Sequence, residues 1–178
     1  MVTSSPTDEP PGDLLTDQDQ HADPVEVAKQ IILKQLSHSP KTRYQLAQVL
    51  AKRNVSPDAA AAALDRIAEL GYIDDAAFAR AWVESRHRSR GLAHSVLRRE
   101  LTQRGVDRDL IEEALVEGVS VESERAVARA LVDKKLRSMT GVADDAATRR
   151  LVGMLNRKGY SPGVAFAVVR EALAATRG

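Results

Sequence analysis

The chain of 178 residues contains no cysteine, and Phe, Trp and Tyr together make up 3% of it. The first absence excludes disulfides and thiolate zinc sites and suits a reducing compartment. The second leaves Leu, Val, Ile and Ala to build the core, and argues against base stacking as the main grip on a nucleic acid. Glycine is scarce, and no convincing series of alternating apolar and polar residues is present, so strands are not expected. No run approaches the roughly 18 apolar residues of a membrane span. The first residues offer neither a basic n-region nor an apolar h-region. A soluble, cytoplasmic protein with no membrane contact is the expectation. What remains is rich in Ala, Leu, Glu, Lys and Arg, all strong helix formers.

Catalytic patterns are also missing. His21, His38, His87 and His94 show no metal-ligand spacing with acids. No phosphate-cradling glycine loop appears, the glycines reading instead as single helix terminators. No Ser, His and Asp set suggests a nucleophile. The chain therefore reads as a non-enzyme without cofactor or metal. Phe78 and Trp82, four apart on a predicted helix, read as core packing.

What is present is repetition. "LAKRNVS" (50–56), "LTQRGVD" (101–107) and "LNRKGYS" (155–161) spell one instruction. A helix meets Asn54, Gly105 or Gly159, residues that accept the left-handed conformation closing a helix. An apolar follower comes next: Val55, Val106 or Tyr160. Ser56, Asp107 and Ser161 then cap a new helix, with Pro57 and Pro162 at the favoured first position. A second phrase precedes the first: "AFARAWVESR" (77–86) matches "AVARALVDKK" (126–135), and "EVAKQIILKQ" (26–35) is a weaker copy. The interval from Val27 to Leu50 equals that from Phe78 to Leu101; Val127 to Leu155 is five longer, placing a longer loop near "MTGVADD". Asp74 and Ser120 cap the helices that follow Gly71 and Gly118, and Asp75 suits a helix dipole. Fixed-period similarity marks a repeat array. The expected fold is all-α: an elongated, curved array of three tandem three-helix repeats over 23–73, 74–119 and 120–178, preceded by an acidic flexible tail, 1–22.

Charge is separated along the chain. Residues 1–26 hold seven acids and no Lys or Arg, so the rest is net +8. Arg80, Arg86, Arg88, Arg90, Arg98, Arg99 and Arg104 fall in one stretch, and Lys134, Lys135, Arg149, Arg150, Arg157 and Lys158 add to them. These bases sit on first and second helices. The third helices of the first two repeats are acidic (Asp58, Asp65, Glu69; Asp109, Glu112, Glu113, Glu117). An operator-reading helix-turn-helix would push those acidic helices at phosphates, so base readout is disfavoured. A basic surface on the first two helices would instead meet phosphates without reading bases. The alternative for any single Arg is a solvated helical face.

The stretch Gly71-Tyr72-Ile73-Asp74-Asp75, with Phe78-Ala79, Arg86, Arg90-Gly91, Arg99-Glu100-Leu101, Arg104-Gly105-Val106 and 111–115 (IEEAL), resembles the RecX family, bacterial regulators of the RecA recombinase. The resemblance runs from about Pro24 onward and is strongest over 71–115. Asn54 departs from the Gly usual in that family's first repeat. The resemblance implies a regulator that binds RecA and its filament on single-stranded DNA, along the filament groove, and restrains recombination, ATP hydrolysis and co-protease activity. The thirteen bases named above are then the expected contacts to DNA phosphates or to acidic RecA surface, made by a monomer. Two alternatives stand beside this reading: an independent nucleic-acid-binding protein without sequence preference, and a helical adaptor for another partner.

Overall fold

Side-chain caps and left-handed corners divide this chain into short helices. The computed structural model describes residues 23–176. Among them lie nine helices and no strand: α1 (Pro24–Leu36), α2 (Arg43–Lys52), α3 (Pro57–Glu69), α4 (Asp75–Arg90), α5 (His94–Gln103), α6 (Arg108–Gly118), α7 (Val121–Leu136), α8 (Asp144–Arg157) and α9 (Pro162–Ala175). The acidic segment 1–22 lies outside the described residues.

The repeated phrase folds identically each time. Asn54, Gly105 and Gly159 have φ of 59°, 71° and 92°. The N–H of each apolar follower returns to the carbonyl of the marker leucine: Val55 to Leu50, Val106 to Leu101 and Tyr160 to Leu155, all at 3.2 Å. The N–H of the left-handed residue bonds the next carbonyl, that of Ala51, Thr102 or Asn156. This is a Schellman closure, which satisfies the carbonyls a helix end leaves open. The following helix is capped by Ser56 on the Ala59 N–H, Asp107 on that of Asp109 and Ser161 on that of Val164.

Each repeat buries its own apolar cluster. Ile32, Leu46, Leu50, Leu64 and Ile67 fill the first; Val83, Leu97, Leu101, Ile111 and Leu115 the second; Val132, Leu151, Leu155, Val168 and Val169 the third. The third also takes in Ala93, from the start of α5 in the preceding repeat. The chain is thus three three-helix units in tandem, each with a core.

Two sequence-based readings need correction. Not every glycine terminates a helix: Gly153 and Gly163 lie within α8 and α9. Gly118 does stand at a helix end, as the last residue of α6, though without a left-handed turn; an added Cβ there would sit 2.7 Å from Val83 Cγ1, so its small size lets α6 approach α4. Asp75 does more than favour a helix dipole: its Oδ1 accepts the Arg43 N–H at 2.9 Å, across the first joint.

Candidate interface for an anionic partner

The joints between repeats follow one plan, because repeated sequence places equivalent atoms at both. The corner of each later repeat docks on the start of the second helix of the repeat before it. At the first joint Thr42 Oγ1 donates to the Arg104 carbonyl at 2.6 Å, and the Gly105 position lies against the Tyr44 ring. At the second, the Ala93 N–H donates to the Lys158 carbonyl at 2.9 Å and Ser95 Oγ to that of Gly159 at 2.7 Å. Thr42 and Ala93 occupy equivalent places, as do Tyr44 and Ser95. A carboxylate completes each joint. Asp75 takes the first N–H of α2, and Glu124 takes the first N–H of α5 at 3.3 Å as well as His94 Nδ1 at 3.2 Å. Asp75 and Glu124 are themselves repeat-equivalent. The second joint adds Tyr160, whose hydroxyl donates to the Gly91 carbonyl at 3.2 Å. Burial, and secondarily the negative charge of Glu124, raise its pKa well above the ordinary tyrosine value.

Each joint leaves a cleft, and the two clefts are repeat-equivalent. The first, about 640 Å³, is lined by Leu36, Lys41, Phe78, Trp82, Arg86 and Arg104 among others. Its floor is a stack. The rings of Phe78 and Trp82 lie 5.7 Å apart at 17°, and the guanidiniums of Arg86 and Arg104 sit 4.2 and 3.8 Å from the Trp82 centroid. Glu100 accepts the indole N–H at 2.8 Å and its backbone carbonyl accepts from Arg104 Nη1, so the stack is fixed from below. The second cleft, about 580 Å³, is lined by Arg88, Arg90, Gly91, Val127, Lys134 and Lys158 among others, and no acid lines it. Val127 and Leu131 replace Phe78 and Trp82; Lys158 stands where Arg104 does. Lys158 Nζ donates to the Arg90 carbonyl, which holds the two sides of the joint together. Converging cations between low-dielectric walls raise the local potential and attract anions.

The structure sorts the thirteen predicted bases. Arg88, Arg90, Lys134 and Lys158 come together in the second cleft, and Arg86 and Arg104 in the first. Arg88 also meets Glu84 at 3.2 Å, both side chains exposed, an ion pair of little energetic weight. Arg98 is engaged within its own repeat by a two-pronged bond to Glu112, at 2.5 and 2.7 Å. That bond raises the Arg98 pKa and lowers that of Glu112. Arg80, Arg99, Lys135, Arg149, Arg150 and Arg157 are exposed and line neither cleft. Acids of the third helices are partly engaged by bases of their own repeat at the surface: Asp65 meets Arg43 at 2.6 Å, as Glu112 meets Arg98. Phe78 and Trp82 are half-buried, packing on the second core with one side and lining the cleft with the other. Lys41, Asp75 and Glu124 were not singled out as interface residues from the sequence. Matching positions across the repeats would have paired the two carboxylates.

Serial helical corners, bonded joints and open clefts define an all-helical tandem-repeat protein. Comparison with known sequences supplies the family. Models of the first, second and third three-helix domains of RecX match residues 28–66, 74–115 and 122–169. The chain is 52% identical over 151 residues to the regulatory protein RecX of Streptomyces coelicolor, covering 85% of this chain and 80% of that protein. It is 45% identical over 168 residues to RecX of Thermobifida fusca, covering 94% and 88%. The crystal structure of RecX from Lactobacillus salivarius shares the fold, with a TM-score of 0.77 at 18% identity over 85% of this chain and 98% of that one. The chain belongs to the RecX family of regulatory proteins.

Proposed function

We propose that this chain is a modulator of RecA: it binds the recombinase and its filament on single-stranded DNA and restrains ATP hydrolysis, strand exchange and co-protease activity. Family membership supports a regulatory role, and the resemblance read in the sequence supplies RecA as partner. The observation that carries the mode of action is the acid-free second cleft, where Arg88, Arg90, Lys134 and Lys158 converge. Four cations in one groove suit phosphates or a carboxylate-rich protein surface, with no base readout. Two equivalent clefts one repeat apart suit a partner that is itself periodic, since several modest contacts on one tether add by avidity. The protein acts as a monomer in the cytoplasm, without catalysis of its own.

The test is the variant Arg88→Glu, Arg90→Glu, Lys134→Glu, which leaves the Lys158 bond at the joint intact. RecA ATPase on single-stranded DNA is titrated with parent and variant, their folds compared by circular dichroism. The expected result is a loss of about tenfold or more in inhibitory potency, since lost charge-assisted contacts cost about 1.5–3 kcal/mol each. Equal inhibition by a folded variant overturns the assignment. Binding to single strands alone, with a salt slope near −0.7 per phosphate and no affinity for free RecA, replaces it with the independent nucleic-acid-binding alternative.

A further inference from the structure

The two clefts are equivalent by repeat but not in composition. The second sets Arg and Lys among aliphatic side chains, and no aromatic ring lines it. The first brings Tyr72, Phe78 and Trp82 together with Arg86, Arg104 and Lys41, and Tyr72 at its lip is 62% exposed. Trp, Tyr and Arg are the side chains that dominate binding energy where proteins meet proteins. Both guanidiniums lie over the Trp82 ring. A guanidinium stacked in this way keeps its N–H edge for a ligand, and a fork already held in place loses little freedom on taking a carboxylate. Among the described residues, Arg86, Arg104 and Lys41 form no ion pair. Asp74, the one acid in the lining, already accepts the Ala77 N–H as a helix cap. The cations of this cleft therefore call for carboxylates from outside the repeat array.

Two other occupants fit less well. A nucleobase needs a free ring face, whereas Trp82 is stacked with Phe78 and approached by two guanidiniums. A phosphodiester would use the cations and leave the exposed Tyr72 ring without a partner. A polypeptide supplies both chemistries at once. We propose that the first cleft docks a segment of a partner protein in which carboxylates flank a large aliphatic or aromatic side chain. The carboxylates take Arg86, Arg104 and Lys41, and the apolar side chain lies against Leu36, Phe78 and Tyr72. The cleft, about 640 Å³, falls within the roughly 300–1,000 Å³ of sites that enclose a small ligand, so it takes a few side chains and not a domain face. The two clefts then divide the work, the first holding protein side chains and the second phosphates. A nucleoprotein surface presents both side by side. That last consequence rests on the function proposed above; the docking itself does not.

The single tryptophan of the chain lines this cleft, so its emission reports the site directly. The probe is the end-capped peptide Glu-Asp-Leu-Phe-Asp-Glu, titrated into the full chain with no other partner present. Trp82 emission is expected to change and to saturate below about 1 mM peptide. Binding of a labelled copy, followed by anisotropy, is expected to weaken about tenfold or more in the double variant Lys41→Gln, Arg86→Gln, and again in Tyr72→Ala. Arg80→Gln, an equal loss of charge on the same helix as Arg86 but outside both clefts, is expected to leave binding unchanged. Urea midpoints check that each variant is folded. Constant emission at about 1 mM peptide overturns the docking, as does equal binding by the folded double variant. Equal binding of a peptide with Ser in place of Leu and Phe overturns it by showing that charge alone is read. Equal binding of Gln-Asn-Leu-Phe-Asn-Gln overturns it by showing that the carboxylates are not read. A Trp82 change produced by oligothymidylate at lower concentration than by the peptide also overturns it and makes the cleft a base site. RecA inhibition plays no part in any of these readings, so failure here leaves the proposed function standing.

Discussion

Asn54, Gly105 and Gly159 share one backbone shape but not one environment. An added Cβ at Gly105 would overlap the Tyr44 ring, and at Gly159 it would lie 2.6 Å from Ser95 Oγ and 2.9 Å from the Val96 nitrogen. Asn54, at the corner with no repeat before it, is exposed and keeps its Cβ. The left-handed conformation admits Asn; the docked joint excludes every side chain. Gly105→Ala and Gly159→Ala are therefore expected to cost about 2–4 kcal/mol, the left-handed penalty plus the overlap. Asn54→Ala is expected to cost only about 1 kcal/mol, the penalty alone. Urea midpoints measure all three, and equal costs at 54 and 105 would contradict the distinction. Tyr160 makes the second prediction. Its raised pKa favours the neutral hydroxyl in the fold, so the stability it contributes is complete below the unfolded value of about 10 and is lost as pH rises beyond it. Tyr160→Phe should lose about 1 kcal/mol at neutral pH and show a shallower decline of stability in alkali than the parent.

At the scale of elements, second helices carry both sides of each joint. The ends of α5 and α8 form the corners that dock backward; the starts of α2 and α5 receive them. Thr42 serves both its own helix and the joint. It forms a capping box with Gln45 and donates its hydroxyl to the Arg104 carbonyl, and it is fully buried. Thr42→Ala removes the cap and leaves that carbonyl without its donor, an expected loss of about 1–3 kcal/mol. Asp75→Ala removes the carboxylate from the same joint and should weaken the same contact. Because both substitutions act on one joint, their effects are expected to fall short of additivity in a double-mutant cycle on urea stability. Strict additivity would show that the cap and the carboxylate support different things.

Across the whole molecule, charge is organised by the joints more than by the helices that carry it. The run of seven Arg from Arg80 to Arg104 is a single feature along the chain, yet in space it divides among a stacked cleft, a cationic cleft, a surface ion pair within one repeat and open surface. Reversal at Arg98 should therefore act first on the fold, through Glu112, whereas Arg90→Glu should act on partner binding with urea stability unchanged. Measuring inhibition and stability on both variants separates the two effects; the opposite assignment would place the interface on α5 and away from the joint.

The all-helical repeat was legible along the chain because caps and left-handed corners are local: each needs only the side chain and backbone of four to six neighbouring residues. Leu50, Leu101 and Leu155 announced equivalent helix ends, and Asn54, Gly105 and Gly159 their turns. The partition of the thirteen bases was not legible, since Arg88 and Lys134, or Arg86 and Lys41, become neighbours only when one repeat docks on the next. The second duty of Gly105 was hidden for the same reason: a steric demand from Tyr44 leaves no mark on the turn itself. Sequence alone determined which residues turn the chain, through short-range hydrogen bonding. Tertiary docking decided which charges share a cleft, because that depends on contacts between residues more than sixty positions apart, such as Thr42 with Arg104 and Ser95 with Gly159.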